Sequence, residues 1–248
     1  MFHRACIALF TTLTILLTLA ACSNVTTTPA VRSTVTPTYA PDLNPAKFVA
    51  TITNPYLPLK PGTTFISEGT ADGAKVHREI TVTSDTKVIQ GATCIAVRDK
   101  LWSNGTLAKE TIDWYAQDQE QTVWHMGAEV KVYQQGAVAN TEGSWEAGVK
   151  DAVPGIAMPG KLVQDVSYYD EYVKGKTENM DQVVSLTESV TIPYGSFSNV
   201  VKIKESSQLI PGVIQYKYYA QNVGLILTTI EGKTSQEKLV KVTTGNAS

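Results

Sequence analysis

Asp113-Trp114-Tyr115-Ala116-Gln117-Asp118 returns as Lys217-Tyr218-Tyr219-Ala220-Gln221-Asn222, and the reading of this echo decides the fold. Around the second copy Ile214, Tyr216, Tyr218 and Ala220 alternate with Gln215, Lys217 and Tyr219; around the first, Ile112, Trp114 and Ala116 lie on one side. Alternation at period two is the mark of a strand whose faces differ. The outward anchors repeat as well. Pro61-Gly62 precedes the first long strand pattern and Pro159-Gly160 another, so the two spacings, 104 for the tyrosines and 98 for the prolines, nearly agree. Between the anchors both halves run in one order: a long alternating stretch, a turn, a short apolar strand (Ile95-Ala96-Val97 or Val200-Val201-Lys202-Ile203), a glycine turn, then the aromatic strand. Repetition over such a distance reads as tandem duplication; chance similarity between β-meanders is the competing reading.

Working outward, Val76, Arg78, Ile80 and Val82 alternate with His77, Glu79 and Thr81, and Asp72-Gly73 and Asn104-Gly105 are two-residue hairpin signals. No window of 12 residues after Ala50 carries a 3.6-residue period. The expectation is an all-β fold: two tandem β-meander repeats, about 54–135 and about 159–245, in one large antiparallel half-barrel or open barrel. A two-sheet β-sandwich is the alternative. Gly136 to Met158 joins the repeats and is too broken by Gly and Pro for a regular element. Because it carries Trp145, Ile156 and Met158, it is expected to fold back over the concave face as a lid anchored by Trp145. A loop merely packed along an edge is the other possibility. Upstream, Asn44-Pro45 reads as an N-cap with proline at the first helical position, opening a short helix through Val49.

The amino terminus places the chain in the cell. Arg4 is followed by an apolar run from Ala5 to Leu19 and by Leu19-Ala20-Ala21-Cys22, a signal-peptide pattern. Its L-A-A-C ending resembles the bacterial lipobox, which implies cleavage after residue 21 and a diacylglycerol thioether on Cys22. Residues 22–41 are Thr- and Pro-rich with Arg32 as the only charge, and read as a lipidated flexible spacer of roughly 25 Å reach. The single β domain would then be 42–248. The expected location is the cell membrane or outer membrane, lipid-anchored and facing periplasm or exterior.

Several chemistries are set aside. The signal removes Arg4 and no acid, so 21 basic and 23 acidic side chains become 20 and 23; this balance lacks the basic excess that nucleic acid demands. Of three cysteines, Cys6 leaves with the signal and Cys22 is lipidated, so Cys94 has no partner for a disulfide and reads as a small buried side chain. Two remaining histidines, His77 and His125, are too few for a zinc site without scattered carboxylates, so no metal is expected. His125 reads as a strand histidine facing solvent or a polar partner. Gly175-Lys176-Thr177 and Gly232-Lys233-Thr234 lack the upstream glycine of a phosphate loop, holding Asp170 and Leu227 there. Asp113, Asp118, Glu120, Asp165, Asp170 and Glu171 are accounted for by turns and solvated faces. No catalytic residue and no cofactor is expected. Aromatic side chains are the better lead: Trp114, Trp124, Trp145, Met158 and Tyr218 are expected to line an apolar pocket, with core packing and cross-strand pairs as the alternative.

Asn54-Pro55-Tyr56-Leu57-Pro58-Leu59, the D-W-Y-A-Q-D motif, Val123-Trp124, and Tyr219-Ala220-Gln221-Asn222-Val223-Gly224-Leu225 together resemble a family of bacterial envelope lipoproteins to which no activity is assigned. That resemblance spans most of Asn54 to Glu231 and implies no site residue. In architecture alone, a lipobox, a spacer and a many-stranded sheet are similar to half-barrel lipid-carrier lipoproteins. The expected function is thus a non-enzymatic, membrane-anchored envelope lipoprotein that binds a hydrophobic ligand or a protein partner. A hydrolase acting on an envelope polymer is the rival.

Overall fold

A computed structural model describes residues 39–245; the signal sequence, Cys22 and most of the spacer lie outside the described residues. The described chain opens at Tyr39, whose ring packs on Tyr169 and Tyr172 at 5.0 and 5.6 Å between centroids. The N-cap reading of Asn44 holds: its side chain accepts from the Ala46 amide at 3.1 Å. The helix is a single 3-10 turn, Pro45–Lys47, ending where the chain extends into β1 (Phe48–Val49) to pair with a long strand.

The first meander comprises β2 (Thr63–Ala71), β3 (Ala74–Ile89), β4 (Ala92–Ser103), β5 (Thr106–Asp118) and β6 (Val123–Gln134). The segment that follows contributes β7 (Ala137–Asn140), β8 (Trp145–Glu146) and β9 (Gly155–Met158). The second meander comprises β10 (Ser167–Val173), β11 (Thr177–Ile192), β12 (Gly195–Ser207), β13 (Ile214–Ala220) and β14 (Gly224–Ile230), and β15 (Gln236–Thr244) ends the described chain. Asp72-Gly73 and Asn104-Gly105 close hairpins with positive φ at both residues (46° and 84°, 48° and 81°), as turns matched to the twist of the strands require.

All ladders are antiparallel, and one sheet runs β10-β11-β12-β13-β14-β15-β2-β3-β4-β5-β6-β7. The halves are joined not by adjacent sequence but by β15 on β2, from Gln236↔Thr70 to Thr244↔Thr63. They approach so closely that a Cβ on Gly69 would lie 1.8 Å from the Gln236 carbonyl oxygen. The meanders also share their irregularities. The fourth strand of each carries a ladder shift at its tyrosine, between Trp114 and Tyr115 and between Tyr218 and Tyr219; the second strand of each shifts after a buried valine, Val82 or Val183. Bulges sharpen twist and bend a sheet, and this one curls. Val82 of β3 and Val183 of β11 share one core cluster although six ladder steps separate their strands, about 29 Å at the usual 4.8 Å spacing were the sheet flat. The result is an open half-barrel rather than a sandwich.

The linking segment corrects two expectations. It contains regular strands, and it follows the edge-packed alternative rather than the lid, seated on the rim of the sheet with Ala157 and Met158 reaching the inner cluster. Strands β9, β8 and β7 occupy successive stretches of the edge of β6, at Val123–His125, Gly127–Ala128 and Val132–Gln134. The same segment reaches the far edge of the sheet: Val153 bridges Tyr172, and a Cβ on Gly155 would lie 1.9 Å from the Asp170 carbonyl oxygen. The sheet's two ends, β6 and β10, are therefore spanned by the segment between the meanders. An edge is a row of unpaired amides and carbonyls, and edge pairing satisfies it more directly than a lid would.

Packing is two-sided. The inner cluster holds Val82, Val123, Met158, Val183, Val201 and Ile203, all buried. On the opposite face of β4 and β5, Cys94, Ala96, Trp114 and Ala116 pack with Phe48 and Leu43, and Val200, Ala220, Ile226 and Leu239 form the counterpart in the second half. Each large aliphatic group so buried contributes ~1.5–3 kcal/mol.

Candidate functional site

The residues 52–60 form a strap across one end of the half-barrel, and both copies of the echoed aromatic motif meet it there. Gln117 of the first aromatic motif accepts from the amides of Thr53 and Asn54, both at 2.8 Å. Buried Asn54 donates to the carbonyls of Gln121 (2.9 Å) and Pro159 (3.2 Å) and accepts from the amides of Tyr56 and Leu57. On the other side the Asn222 amide donates to the Pro55 carbonyl at 2.6 Å. The strap turns at Asn54–Leu57, the Leu57 amide meeting the Asn54 carbonyl at 3.2 Å, and proline on either side of Tyr56-Leu57 stiffens that turn.

Under the strap opens a slot of about 130 Å3. Leu57, Leu59, Phe65, Ile80, Leu225 and Leu227 supply its apolar walls, while Arg78, Lys217 and Glu237 reach its floor. A dry apolar cavity of about 150 Å3 suffices for benzene, so the slot takes one ring or the end of one aliphatic chain.

Beneath the floor lies an ion network on the concave face. Lys217 of β13 lies among carboxylates from three successive strands: Asp170 at 3.6 Å, Asp181 at 3.7 Å and Glu205 in direct contact. His125 of β6 bonds Asp113 through Nε2 at 3.2 Å, while its Nδ1 faces Glu171 at 3.7 Å and Asp170 at 3.9 Å. Asp170 thus lies between both cations, and β10 and β6 face each other through charge. In the first half Arg78 pairs with Asp99 (3.0 Å) and Glu237 (2.9 Å). Tyr115 stacks on His125 at 4.9 Å and Trp145 meets its edge at 5.1 Å, excluding water from the ring.

The network is rich in acid: seven carboxylates face three cations. Burial disfavours charge on His125, but the bond to Asp113, then the fields of Asp113, Glu171 and Asp170, more than offset it and lift its pKa to about 9. Burial pushes Asp181 well above the ordinary carboxylate range, against the pull of Lys217, and raises Asp170 in the same way. Lys217 is held protonated, its burial outweighed by Asp181, Glu205 and Asp170. Asp170, Asp181 and Glu205 have the spacing of a metal cage, but the Lys217 ammonium stands against all three.

The structure does not gather the five predicted pocket residues around one cavity. Trp114, Trp124 and Trp145 pack in the outer cluster of the first half, Met158 is fully buried in the inner cluster, and Tyr218 belongs to the outer cluster of the second half. Trp114 donates to Glu129 at 3.2 Å under the Lys87 ammonium; Tyr218 lies under Lys202 in the corresponding place. Trp124 donates to Asp118 at 2.9 Å, and Asp118 also accepts from Glu120 and Thr122 amides, a turn role as expected. Asp113, Asp170 and Glu171 are another matter: expected on turns and solvated faces, they are enclosed by the curl of the sheet. Cys94 is fully buried, and burial pushes its thiol up to about 12, the profile of an inert side chain.

No family model and no curated protein matches this sequence. Two solved structures resemble the fold. One, provisionally described as a lipoprotein, is from Parabacteroides distasonis; it has 16% identity and a TM-score of 0.35 over 76% of this chain and 98% of its own. The other, provisionally described as an exported protein with a YmcC-like fold, is from Bacteroides fragilis; it has 14% identity and a TM-score of 0.42 over 77% of this chain and 100% of its own.

Proposed function

We propose that the chain is a non-enzymatic lipoprotein of the cell envelope, anchored through Cys22, that holds the apolar end of a hydrophobic ligand in the slot beneath the strap. The observation that carries this reading is the slot itself, an apolar recess walled by Leu57, Leu59, Phe65, Ile80, Leu225 and Leu227. Its size suits a chain end or ring, not a whole lipid, so the remainder of the ligand would lie along the strap. A hydrolytic reading asks for a base poised near neutrality in an open cleft. His125 is buried, protonated and bonded to Asp113, which favours a structural part for it.

Native mass spectrometry of protein purified from its own host tests the reading. A bound apolar molecule is expected, and Leu225→Trp, which fills the slot, should lower its occupancy at least about tenfold with melting temperature nearly unchanged. A clean apo mass together with turnover of a cell-wall polymer would establish the hydrolase instead.

A further inference from the structure

The turn between β12 and β13 breaks the surface chemistry of the rest of the sheet. Gln208-Leu209-Ile210-Pro211-Gly212-Val213 leaves three aliphatic side chains in solvent, Leu209 at 43%, Ile210 at 61% and Val213 at 48% exposure. The neighbouring turn between β10 and β11 is Lys174-Gly175-Lys176, all exposed. Among the described residues neither lysine forms an ion pair. Glu178 and Glu231 stand nearby, hydrogen-bonded to the Gly175 amide and the Tyr216 hydroxyl, and Asp72 pairs with Lys233. This end of the sheet therefore presents an apolar tip with two exposed lysines beside it that no carboxylate contacts among the described residues.

The start of the described chain lies at the same place. Tyr39 packs on Tyr172, which pairs with Glu178 on β11, and the next residue, Asn179, pairs with Ser207 at the base of the apolar turn. Two strand spacings, about 10 Å, separate the entry of the chain from that turn. Cys22 precedes Tyr39 by 17 positions, at most about 60 Å even at full extension.

We propose that the 208–213 turn, with Lys174 and Lys176, is a second attachment to an anionic phospholipid surface, the membrane that holds the Cys22 lipid. This inference rests on the anchor reading above. Three aliphatic groups on a turn fall far short of the ~800 Å2 per partner that a stable protein interface buries. They suffice for a domain already tethered, where effective concentration is high and each added contact is intramolecular. Apolar insertion beside lysines is the chemistry that a negatively charged bilayer selects.

The mature, acylated protein is reconstituted into phosphatidylcholine–phosphatidylglycerol vesicles, with and without brominated acyl chains. Two variants carry one added indole each: Ile210→Trp at the proposed contact, and Tyr194→Trp on the exposed turn at the opposite end of the sheet, which controls for the affinity of indole itself. Brominated lipid should quench the added emission of Ile210→Trp by about half and leave Tyr194→Trp unquenched, with iodide accessibility reversed. Lys174→Glu/Lys176→Glu in the Ile210→Trp background should abolish most of the quenching. Acylated, vesicle-bound protein whose Ile210→Trp indole stays open to iodide overturns the proposal while leaving the anchor intact. Protection of that indole in native membranes but not in vesicles also overturns it, and points to a protein partner. A chain without an acyl mass refutes the anchor reading itself.

Discussion

Between pH 6.5 and 9 the folded protein should lose stability as His125 gives up its proton. Unfolded, the imidazole titrates at its ordinary 6.5; folded, it stays protonated up to about 9, because Asp113, Glu171 and Asp170 outweigh the burial that opposes its charge. A folded-state pKa above the unfolded one stabilises fully below pH 6.5, and that stability disappears as pH rises through about 9. The interval is worth about 3 kcal/mol, a slope of about 1.4 kcal/mol per pH unit, one proton's worth. Asp181 and Asp170, raised by burial, act in the same sense, so the parent slope is at least this steep. Urea unfolding at pH 6.5, 7.5 and 8.5 measures it in the parent and in His125→Gln, whose amide can still meet Asp113 but does not titrate. The range stops there because unfolded Cys94 begins to ionise near 9.0 while the folded thiol holds out to about 12, adding its own alkaline loss. His125 alone should take about 2 kcal/mol from the parent between pH 6.5 and 8.5, and His125→Gln should show a slope shallower by one proton. Equal slopes in the two proteins, or a parent whose stability is flat or rising, would refute the protonated interior histidine.

Other outcomes follow from the same geometry. Lys217→Met leaves Asp170, Asp181 and Glu205 facing one another and should cost about 3–5 kcal/mol at pH 7, partly regained at pH 5 as the carboxylates bind protons; unchanged urea midpoints would contradict this. Gly155→Ala drives a Cβ into the Asp170 carbonyl, so amide exchange in β10 should accelerate while that in β3 and β4 stays slow. Asn54→Ala strips the strap of its buried polar contacts and should lower stability by about 2–4 kcal/mol, read as a fall in melting temperature. Cys22→Ala should release the protein from the membrane fraction or leave an unprocessed precursor; a processed, membrane-bound variant would rule out lipidation at that residue.

Strand period and hairpin turns were legible because they are local. Asp72-Gly73 and Asn104-Gly105 carry their own backbone requirement, and alternation in 214–220 needs no partner to be recognised. Which face points inward is not local. Ile214, Tyr216 and Tyr218 make the apolar side of the alternation, yet it is Lys217, on the other side, that faces the enclosed interior at 15% exposure. The polar face of a strand looks the same in sequence whether it meets water or other strands' charges. Curl decides, and it comes from bulges that bring together strands six ladder steps apart. One signal was available: at corresponding places in the echoed motif stand Asp113 and Lys217, opposite charges flanked by aromatics. The linking segment misled for a related reason. Its glycines and prolines interrupt regular structure, but two- and four-residue strands need little regularity to pair with an existing edge.

The ladder of β15 on β2 also sets a timetable for the growing chain. Within each meander every long strand pairs with its neighbour as it emerges, β2 with β3 included, whereas the other edge of β2 must wait for a segment made much later; Asp72 and Ser235, bonded across this junction, are 163 positions apart. Until 236–244 arrives, β2 and β14 each present an unpaired edge, the surface on which strands of different molecules join. Termination between Ile230 and Gln236 should therefore yield not a slightly shortened protein but two half-sheets whose facing edges are open to self-association. Closure of so long a loop should be the slow phase of refolding.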